Sequence, residues 1–312
     1  MERIVVAIGG NALNQPGQEP SAEMMKKNLL HTTKCIADLI EEGHQIIITH
    51  GNGPQVGNLL IQQDISKDEV PPFPIDINDA MTQGSIGYLI SQSLKNELQK
   101  RNYKKNICCL LTQIVVDKYD EAFLNPRKPV GPFYEEKEAR EIQDKKKWVF
   151  KEDSGRGWRR VVPSPNPLEV VELEAIKNLV CSDFVCIVGG GGGIPVIRNI
   201  NNELEGVEAV IDKDRASALI AELIDATLFI VLTAVDYAYL NFGKENQRKI
   251  ENVSVEEITE LMKEGHFARG SMYPKIESAK KFVEETGKSA IITSLDKVKA
   301  SIEGKAGTHI YL

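Results

Sequence analysis

The sequence predicts an α/β protein with an open, mainly parallel sheet sandwiched by helices. Short apolar segments rich in Val and Ile, such as RIVVAI and QIIIT, alternate with longer segments of helical pattern. The strand-like segments are apolar at consecutive positions, so both faces of each strand need cover, as in a sheet with helices on both sides. Three of these segments run directly into glycine-rich turns, and ligands of open α/β sheets gather at such strand ends.

The predicted elements follow one another in a regular order. Apolar runs predict strands at Arg3–Ile8, Gln45–Thr49, Ile107–Leu111, Phe184–Val188, Leu228–Leu232 and Ala290–Thr293. Periodicity near 3.6 residues predicts helices at Met24–Glu42, Asp79–Lys100, Asp212–Leu223, Ser254–Glu264 and Pro274–Glu285. Ser254 and Glu257 fit a capping box, and Asp212 is a favourable N-cap residue.

Residues 117–165 interrupt this pattern. The segment is rich in Pro, Gly and charged residues, and it contains both tryptophans. It predicts a small protruding subdomain that is either a solvated excursion or a lid over substrate. The stiff run KPVGP would hold Lys128 in place. We expect two lobes, an N-terminal lobe of residues 1–183 that carries this subdomain and a C-terminal lobe of residues 184–312.

Composition excludes several classes of function. The chain has 312 residues, of which 42% are hydrophobic, and its net charge is 38 − 45 = −7. An acidic protein is not a general binder of nucleic acid or of anionic membranes. No segment approaches the ~20 apolar residues of a membrane helix. The five cysteines are odd in number and lack a Cys-x-x-Cys pair, which favours free thiols in a reducing, cytoplasmic location.

Three glycine turns carry the functional signal. Gly9 and Gly10 follow the first strand, Gly51 and Gly53 follow the second, and residues 189–193 are five consecutive glycines after a later strand. Glycine lets backbone N–H groups approach an anion closely. Since the carboxyl ends of parallel strands share one sheet edge, the three turns predict one site.

The second turn, THGNGPQVG, excludes two common nucleotide motifs. Pro54 suits the first turn of a helix, so the turn feeds a helix N-terminus, where anions bind. Its glycines miss the G-x-G-x-x-G spacing by one residue, and no acidic strand end follows, which disfavours a dinucleotide oxidoreductase. The pattern G-x-x-x-x-G-K-[ST] is absent, which excludes an ordinary P-loop kinase. His50 is either a base or a structural residue at a strand end.

Two lysines at helix starts indicate the reaction class. Lys213 lies in the first turn after the predicted cap, and Lys275 lies in the first turn of a later helix. The helix dipole disfavours a cation there, so a bound anion would explain both lysines. Asp214 suits the dipole and is placed to hold the ammonium groups. Lysines combined with glycine turns are suited to phosphoryl transfer, which depends on positioning and charge neutralisation.

Seven motifs together identify a family resemblance that spans nearly the whole chain. They are AIGGNAL, THGNGPQVG, KPVGPFY, GRGWRRVVPSP, VGGGGGIPV, EAVIDKDRASALIA and GSMYPKIESA. In this order they resemble the carbamate kinases, which have the amino-acid kinase fold. The resemblance implies reversible phosphoryl transfer between carbamoyl phosphate and ADP, giving ATP and carbamate. Carbamate is an oxyanion already, so the reaction needs no general base.

The resemblance also implies roles for individual residues. Lys213, Lys275, Asp214 and Lys128 are the expected catalytic residues, with Lys128 on the carbamoyl phosphate side. Backbone N–H and side-chain amide donors around the substrate are expected from Gly9, Gly10, Asn11, Gly51, Asn52 and Gly53. Nucleotide binding is expected from Gly190, Gly191, Ala234, Val235, Tyr239, Met272 and Lys275. Mg²⁺ is expected on phosphate oxygens and water, without a protein cage.

The remaining expectations concern context. The resemblance implies a homodimer formed through the N-terminal lobe, a nucleotide-binding C-terminal lobe, and ATP formation at the end of arginine breakdown. Another acid-phosphorylating kinase of the same fold is the alternative within the enzyme class. A catalytically silent module that senses nucleotide or an acid is the alternative outside it.

Overall fold

A computed structural model describes residues 1–14, 18–19, 21–153, 157–268 and 270–312. Its strands are β1 (Arg3–Ile8), β2 (Gln45–His50), β3 (Asn106–Cys109), β4 (Gln113–Val116), β5 (Lys128–Tyr134), β6 (Val149–Glu152), β7 (Trp158–Val162), β8 (Pro167–Val170), β9 (Phe184–Ile187), β10 (Ile194–Arg198), β11 (Leu204–Gly206), β12 (Leu228–Thr233), β13 (Ala238–Leu240), β14 (Arg248–Ile250), β15 (Asn252–Ser254), β16 (Ser289–Ser294) and β17 (Thr308–Tyr311). Its α-helices are α1 (Ala22–Glu41), α2 (Gly53–Ser66), α3 (Ile75–Lys100), α4 (Glu121–Leu124), α5 (Glu136–Lys146), α6 (Leu173–Cys181), α7 (Lys213–Leu223), α8 (Val255–Lys263), α9 (Met272–Thr286) and α10 (Val298–Ile302).

The central sheet confirms the predicted fold class. Its eight strands have the order β15-β17-β16-β12-β1-β2-β9-β3. All neighbours are parallel except β16 and β17, which are antiparallel. The central strand β1 pairs in parallel with both β12 and β2. Because parallel strands end at the same edge, the turns after β1, β2, β9 and β12 lie together.

Helices cover both faces of this sheet. Alternate residues of β1 enter opposite cores because successive side chains of a strand point to opposite faces. Val5 and Ala7 pack in one core with residues of α7 and α9, among them Ile220 and Phe282. Ile4, Val6 and Ile8 pack in the other core with residues of α1 and α3. Both faces of the sheet are therefore shielded from water, which explains the unbroken apolar runs in the sequence.

Three smaller sheets were not predicted. One has the order β11-β10-β4-β8, a second is the pair β13-β14, and the third has the order β5-β7-β6 and lies inside the segment 117–165. The strands of this third sheet are short and partly exposed, and polar residues or prolines interrupt their apolar runs. Val130 of β5 and Val162 of β7 share a small core with Ile75 and Val210. This core joins the inserted sheet to the starts of α3 and α7.

The predicted strands and helices are all confirmed, with small shifts of their ends. Helix α3 begins at Ile75 after the cap Pro74, four residues before the predicted start. Asp79 therefore lies inside the helix. Strand β9 lies between β2 and β3, so the expected lobe boundary at 183/184 falls within one continuous sheet. Helix α9 begins at Met272, two residues before its predicted start.

Candidate functional site

The glycine turns surround one cavity of about 640 Å³ at the carboxyl edge of the central sheet. The residues with a sequence-predicted role that line it are Gly9, Gly10, Gly51, Asn52, Gly53, Lys128, Gly191, Lys213, Asp214, Ala234 and Lys275. The backbone of Asn11 lies in the 3-10 turn Gly10–Ala12, and its side chain lies outside the described part of the chain. Residues Gly190, Val235, Tyr239 and Met272 are not part of this lining.

Glycine is needed in these turns because other groups approach the backbone closely. Gly191 has φ +70°, and a Cβ there would lie 2.2 Å from Nδ2 of Asn52. A Cβ on Gly51 would lie 3.3 Å from the Cδ of Lys213, and one on Gly9 would lie 3.0 Å from the carbonyl oxygen of Leu232. At these three positions the turns pack too closely for a side chain, whereas the space around Gly10 and Gly53 is open.

A buried cluster of charges lies at the N-terminus of α7. Asp212 caps the helix, and its carboxylate accepts from the backbone N–H of Asp214 at 3.0 Å. The carboxylate of Asp214 accepts from the ammonium groups of both Lys213 and Lys275, the latter at 2.9 Å. Asp214 is only 3% exposed. One carboxylate thus brings two lysines from different helices to the same wall of the cavity.

The ionisation of this cluster follows from its neighbours. Burial alone would raise the pKa of Asp214, but the two ammonium groups hold it below its usual value. Burial lowers the pKa of Lys213, and the nearby Lys275 lowers it further, whereas Asp214 opposes both effects. Two cations share one anion at a helix N-terminus, so the wall favours a polyanion.

A second ion pair crosses the cavity from the inserted sheet. Lys128, at the start of β5, donates from Nζ to Oδ2 of Asp212 at 3.0 Å. Burial would raise the pKa of Asp212, but Lys128, Lys213 and the N–H of Asp214 hold it far below its usual value. The sequence identified Asp212 only as a helix cap. Its partner Lys128 is separated from it by 84 residues in the sequence, and no local sequence pattern predicts a contact over that separation.

A buried polar cluster on α3 lies behind Asn52. The side-chain amide of Asn52 donates to Oδ1 of Asp79 at 2.8 Å and to the hydroxyl of Thr82 at 2.9 Å. These two bonds use both N–H groups of the amide. The expected donation from the side chain of Asn52 to substrate would require these bonds to be exchanged. Sequence reasoning missed Asp79 and Thr82, since polar residues within a helix usually face solvent.

Two titratable groups near the cavity are buried and shifted in pKa. Burial lowers the pKa of His50 to about 4, and its Nδ1 lies 3.0 Å from the carbonyl oxygen of Gly51. A neutral, fully buried ring favours the structural interpretation of His50. Burial also raises the pKa of Asp79 to about 8. Oδ2 of Asp79 has no hydrogen-bond partner among the described residues.

One part of the cavity contains polar groups that no motif predicted. It is lined by Thr233, Ala234, Ser294 and Leu295, at the ends of β12 and β16. His31 of α1 contacts Asp296 there, with Nε2 and Oδ1 2.5 Å apart. Tyr239 lies elsewhere, on the hairpin of β13 and β14, against the rings of Tyr237 and Phe242.

The described residues lack two kinds of feature, a metal-binding cluster and a membrane-spanning helix. No group of three or more His, Cys, Asp or Glu within these ranges has an arrangement that could hold a metal ion. The same ranges contain no helix that is both long and apolar enough to cross a membrane. The described cysteines are free thiols, of which Cys186 is buried and Cys181 exposed.

Comparison with known proteins gives consistent matches. The model of the amino acid kinase family matches residues 2–294. The carbamate kinase of Pyrococcus horikoshii is 50% identical over 311 residues, which cover 99% of each chain. Carbamate kinase 1 of Enterococcus faecium is 50% identical over 299 residues, covering 95% of this chain and 94% of that one.

A solved structure extends the match to the whole fold. The carbamate kinase from Giardia lamblia bound to AMP-PNP superposes with a TM-score of 0.95 and 41% sequence identity. The match covers 99% of this chain and 98% of the Giardia chain. Similarity therefore includes the central sheet, the inserted sheet and the elements around the cavity.

Proposed function

This chain belongs to the amino acid kinase family and, within it, to the carbamate kinases, and we propose that its cavity transfers a phosphoryl group between carbamoyl phosphate and ADP. The products are ATP and carbamate, which equilibrates with ammonia and CO₂. One observation supports this site above all others. Asp214 holds the ammonium groups of Lys213 and Lys275 together at a helix N-terminus that faces three glycine turns.

In the proposed reaction the protein positions two oxyanions and neutralises the group that moves between them. Lys213 and Lys275 donate to the phosphoryl oxygens, whose charge is spread in the transition state. Asp214 keeps both ammonium groups in place before the substrate binds, so little reorganisation is needed. Gly9, Gly10, Asn11 and Gly53 offer backbone N–H groups, whereas the N–H of Gly51, expected as a donor, already donates to the carbonyl oxygen of Ile8 at 3.2 Å. The nucleophile is a carboxyl-type oxyanion, so the neutral, buried His50 is not required as a base.

We assign the two ends of the cavity to different substrates. Lys128 and the turn at Gly51–Gly53 bind carbamoyl phosphate, and the end at Ala234 and Ser294 binds the nucleotide. The relative from Giardia was solved with AMP-PNP, which supports a nucleotide site in this fold. Gly190, Val235, Tyr239 and Met272 do not line the cavity, so their contact with the nucleotide stays a prediction.

Magnesium enters this proposal with the nucleotide. The carboxylates that line the cavity already have cationic or imidazole partners, Asp212 with Lys128, Asp214 with two lysines, and Asp296 with His31. A cavity built for anions fits Mg²⁺ that is bound by phosphate oxygens and water. When bound, the ion neutralises the phosphate charge that the lysines do not reach.

The cellular setting follows from the same assignment. We propose a cytoplasmic enzyme that makes ATP at the end of arginine breakdown, and a homodimer formed through the N-terminal lobe. Helix α3 exposes Ile77, Met81 and Tyr88 at spacings of four and seven residues. These positions lie on one face of the helix, and such an apolar face supports a subunit contact.

Detection of ATP by luminescence after mixing the protein with ADP, Mg²⁺ and carbamoyl phosphate tests the proposal. We expect ATP to form with the wild-type chain and to fall by at least ~100-fold with Lys275→Ala. ATP-dependent phosphorylation of acetylglutamate, aspartate or UMP, without ATP formation from carbamoyl phosphate, would indicate another kinase of the same fold. Nucleotide binding without any transfer would indicate a sensing module.

A further inference from the structure

Asp212 uses its two carboxylate oxygens for different tasks. Oδ1 accepts from the N–H of Asp214 and caps α7, whereas Oδ2 accepts from the ammonium of Lys128. We propose that Asp212 is a positioning residue, which holds Lys128 over the cavity so that carbamoyl phosphate meets an ordered ammonium group. The inference rests on the proposed function, since it concerns the substrate to which Lys128 is assigned.

The position of Lys128 makes such a partner necessary. Lys128 begins β5, which belongs to the separate three-stranded sheet and not to the central sheet. Its side chain is about one third exposed, whereas that of Asp212 is mostly buried on the rigid end of α7. A free lysine side chain loses up to about 2 kcal/mol of conformational entropy when it is fixed. A pre-formed ion pair supplies that order before the substrate arrives.

The pair leaves Lys128 able to bind substrate. An ammonium group has three donors, and Asp212 accepts one of them. Lys128 has no second acceptor among the described residues, so two donors remain for an oxyanion. Asp212 also does not repel the substrate with a free charge, because Lys128 and Lys213 both compensate its carboxylate. The ion pair therefore orients Lys128 and leaves it with donors for the substrate.

Two substitutions separate the tasks of Asp212. Asp212→Ser keeps a good helix cap but is too short to reach Lys128. We expect it to raise the KM for carbamoyl phosphate about tenfold and to change the KM for ADP less than twofold. Asp212→Asn keeps both the cap and a neutral acceptor, so it should restore most of the lost affinity. Thermal unfolding of each variant, within a few degrees of wild type, checks that α7 is intact.

A matched control comes from another ion pair of the inserted segment. Lys146 of α5 contacts Asp64 of α2 at 3.3 Å, away from the cavity lining. Asp64→Ser removes a link between the same segment and the body of the protein, yet we expect it to leave the KM for carbamoyl phosphate unchanged. An equal increase with Asp64→Ser would mean that attachment of the segment matters and the position of Lys128 does not.

A double-mutant cycle decides whether Asp212 acts through Lys128. We expect Lys128→Ala and Lys128→Ala/Asp212→Ser to have the same KM for carbamoyl phosphate, because the second change has nothing left to position. The inference would be overturned if the effects of the two substitutions on the KM multiplied in the double variant. It would also be overturned if Asp212→Ser had a normal KM while Lys128→Ala had a raised one. Absence of an effect in Lys128→Ala would also overturn it, while ATP formation by the wild type would still support the proposed function.

Discussion

Two buried polar clusters lie beside the cavity, and they differ in charge and in role. The charged cluster consists of Lys213, Asp214 and Lys275, where a carboxylate contacts two ammonium groups. The amide cluster consists of Asn52, Asp79, Thr82 and Gln83, where a carboxyl contacts an amide and the remaining bonds are between uncharged groups.

One aspartate from each cluster shows how strongly neighbouring groups determine the pKa of a buried carboxylate. Both Asp214 and Asp79 are almost fully buried. Two cations hold the pKa of Asp214 below its usual value despite that burial. Among the described residues, Asp79 has the amide of Asn52 as its single side-chain donor, and burial raises its pKa to about 8. The charged cluster thus carries ions for binding an anion, and the amide cluster holds its carboxyl mostly protonated at neutral pH.

The amide cluster controls the shape of the glycine turns. The side-chain amide of Gln83 donates to the carbonyl oxygens of Gly190 and Thr112 and accepts from the N–H of Thr112. The amide of Asn52 lies against Gly191, which lines the cavity. Helix α3 therefore anchors the turn after β9 without touching the cavity. Loss of charge should damage catalysis, and loss of the amide cluster should damage stability and geometry.

The largest effect is expected from Asp214→Ala in the charged cluster. The change leaves two buried ammonium groups facing each other without their shared anion, and we expect kcat to fall by at least ~100-fold. Asp214→Asn keeps the shape and loses the charge, so it should remain strongly impaired. Steady-state ATP formation measures both variants.

Glu277→Ala is the matched control for that prediction. Glu277 of α9 pairs with Arg215 of α7 at 2.8 Å, which joins the same two helices outside the cavity. We expect its turnover to stay within about twofold of wild type, because exposed pairs contribute little. Near-normal turnover in Asp214→Ala would remove the charged cluster from the mechanism.

A smaller effect is expected from Gly191→Ala at the contact between the amide cluster and the cavity. The backbone has φ +70°, and the new Cβ would displace the amide of Asn52. We expect about a tenfold loss of kcat/KM and about 2 kcal/mol of stability, from left-handed strain and overpacking together.

Gly265→Ala separates these two causes. Gly265 has φ +79° with no atom near its would-be Cβ, so alanine there adds strain alone. We expect normal activity and a smaller loss in urea unfolding. Equal losses of stability in both variants, with normal activity in Gly191→Ala, would show that the contact with Asn52 is unimportant.

The sequence predicted the charged cluster far better than the amide cluster. Lys213 and Lys275 were visible because a cation in the first turn of a helix opposes the dipole. Asp79, Thr82 and Gln83 were not, because their spacing of three and four residues is equally typical of a solvent-facing helix stripe.

The fold was predictable where burial is complete and unpredictable where it is partial. Strands β1, β2 and β12 have unbroken apolar runs because both faces are covered. Strand β5 contains KPVGPFY, in which prolines and exposed positions hide the pairing with β7. The contact of Lys128 with Asp212 depends on that pairing, so it could not be predicted before the inserted sheet was known.

The pH dependence of stability should reveal the protonated state of Asp79. An unfolded Asp titrates near pH 4 and the folded one at about 8. Between these values the folded chain binds more protons than the unfolded chain, so the stability contribution of Asp79 is present at low pH and is lost as the pH rises. Relative to Asp79→Asn, wild type should lose up to about 1.4 kcal/mol per pH unit from pH 5 to 8.

Urea unfolding of wild type and Asp79→Asn at pH 5, 6, 7 and 8 measures this difference. The difference between the two proteins removes the opposite contribution of His50, whose lowered pKa costs stability as the pH falls from 6.5 towards 4. A difference that does not change with pH would mean that Asp79 ionises normally. The amide cluster would then resemble the charged cluster in holding an ion.

The smallest effect is expected from Thr82→Val, which removes one acceptor of the Asn52 amide. Valine has nearly the same shape, so the lost bonds are the main change, and we expect about 1 kcal/mol of lost stability. The bond from Asn52 to Asp79 remains, so kcat should stay within about threefold of wild type. Urea unfolding and steady-state ATP formation measure the two effects. If Thr82→Val lost as much kcat as Asp214→Ala, a single hydroxyl on α3 would matter as much for phosphoryl transfer as the carboxylate shared by the lysines. The two clusters would then not have the separate roles in stability and catalysis that we assign to them.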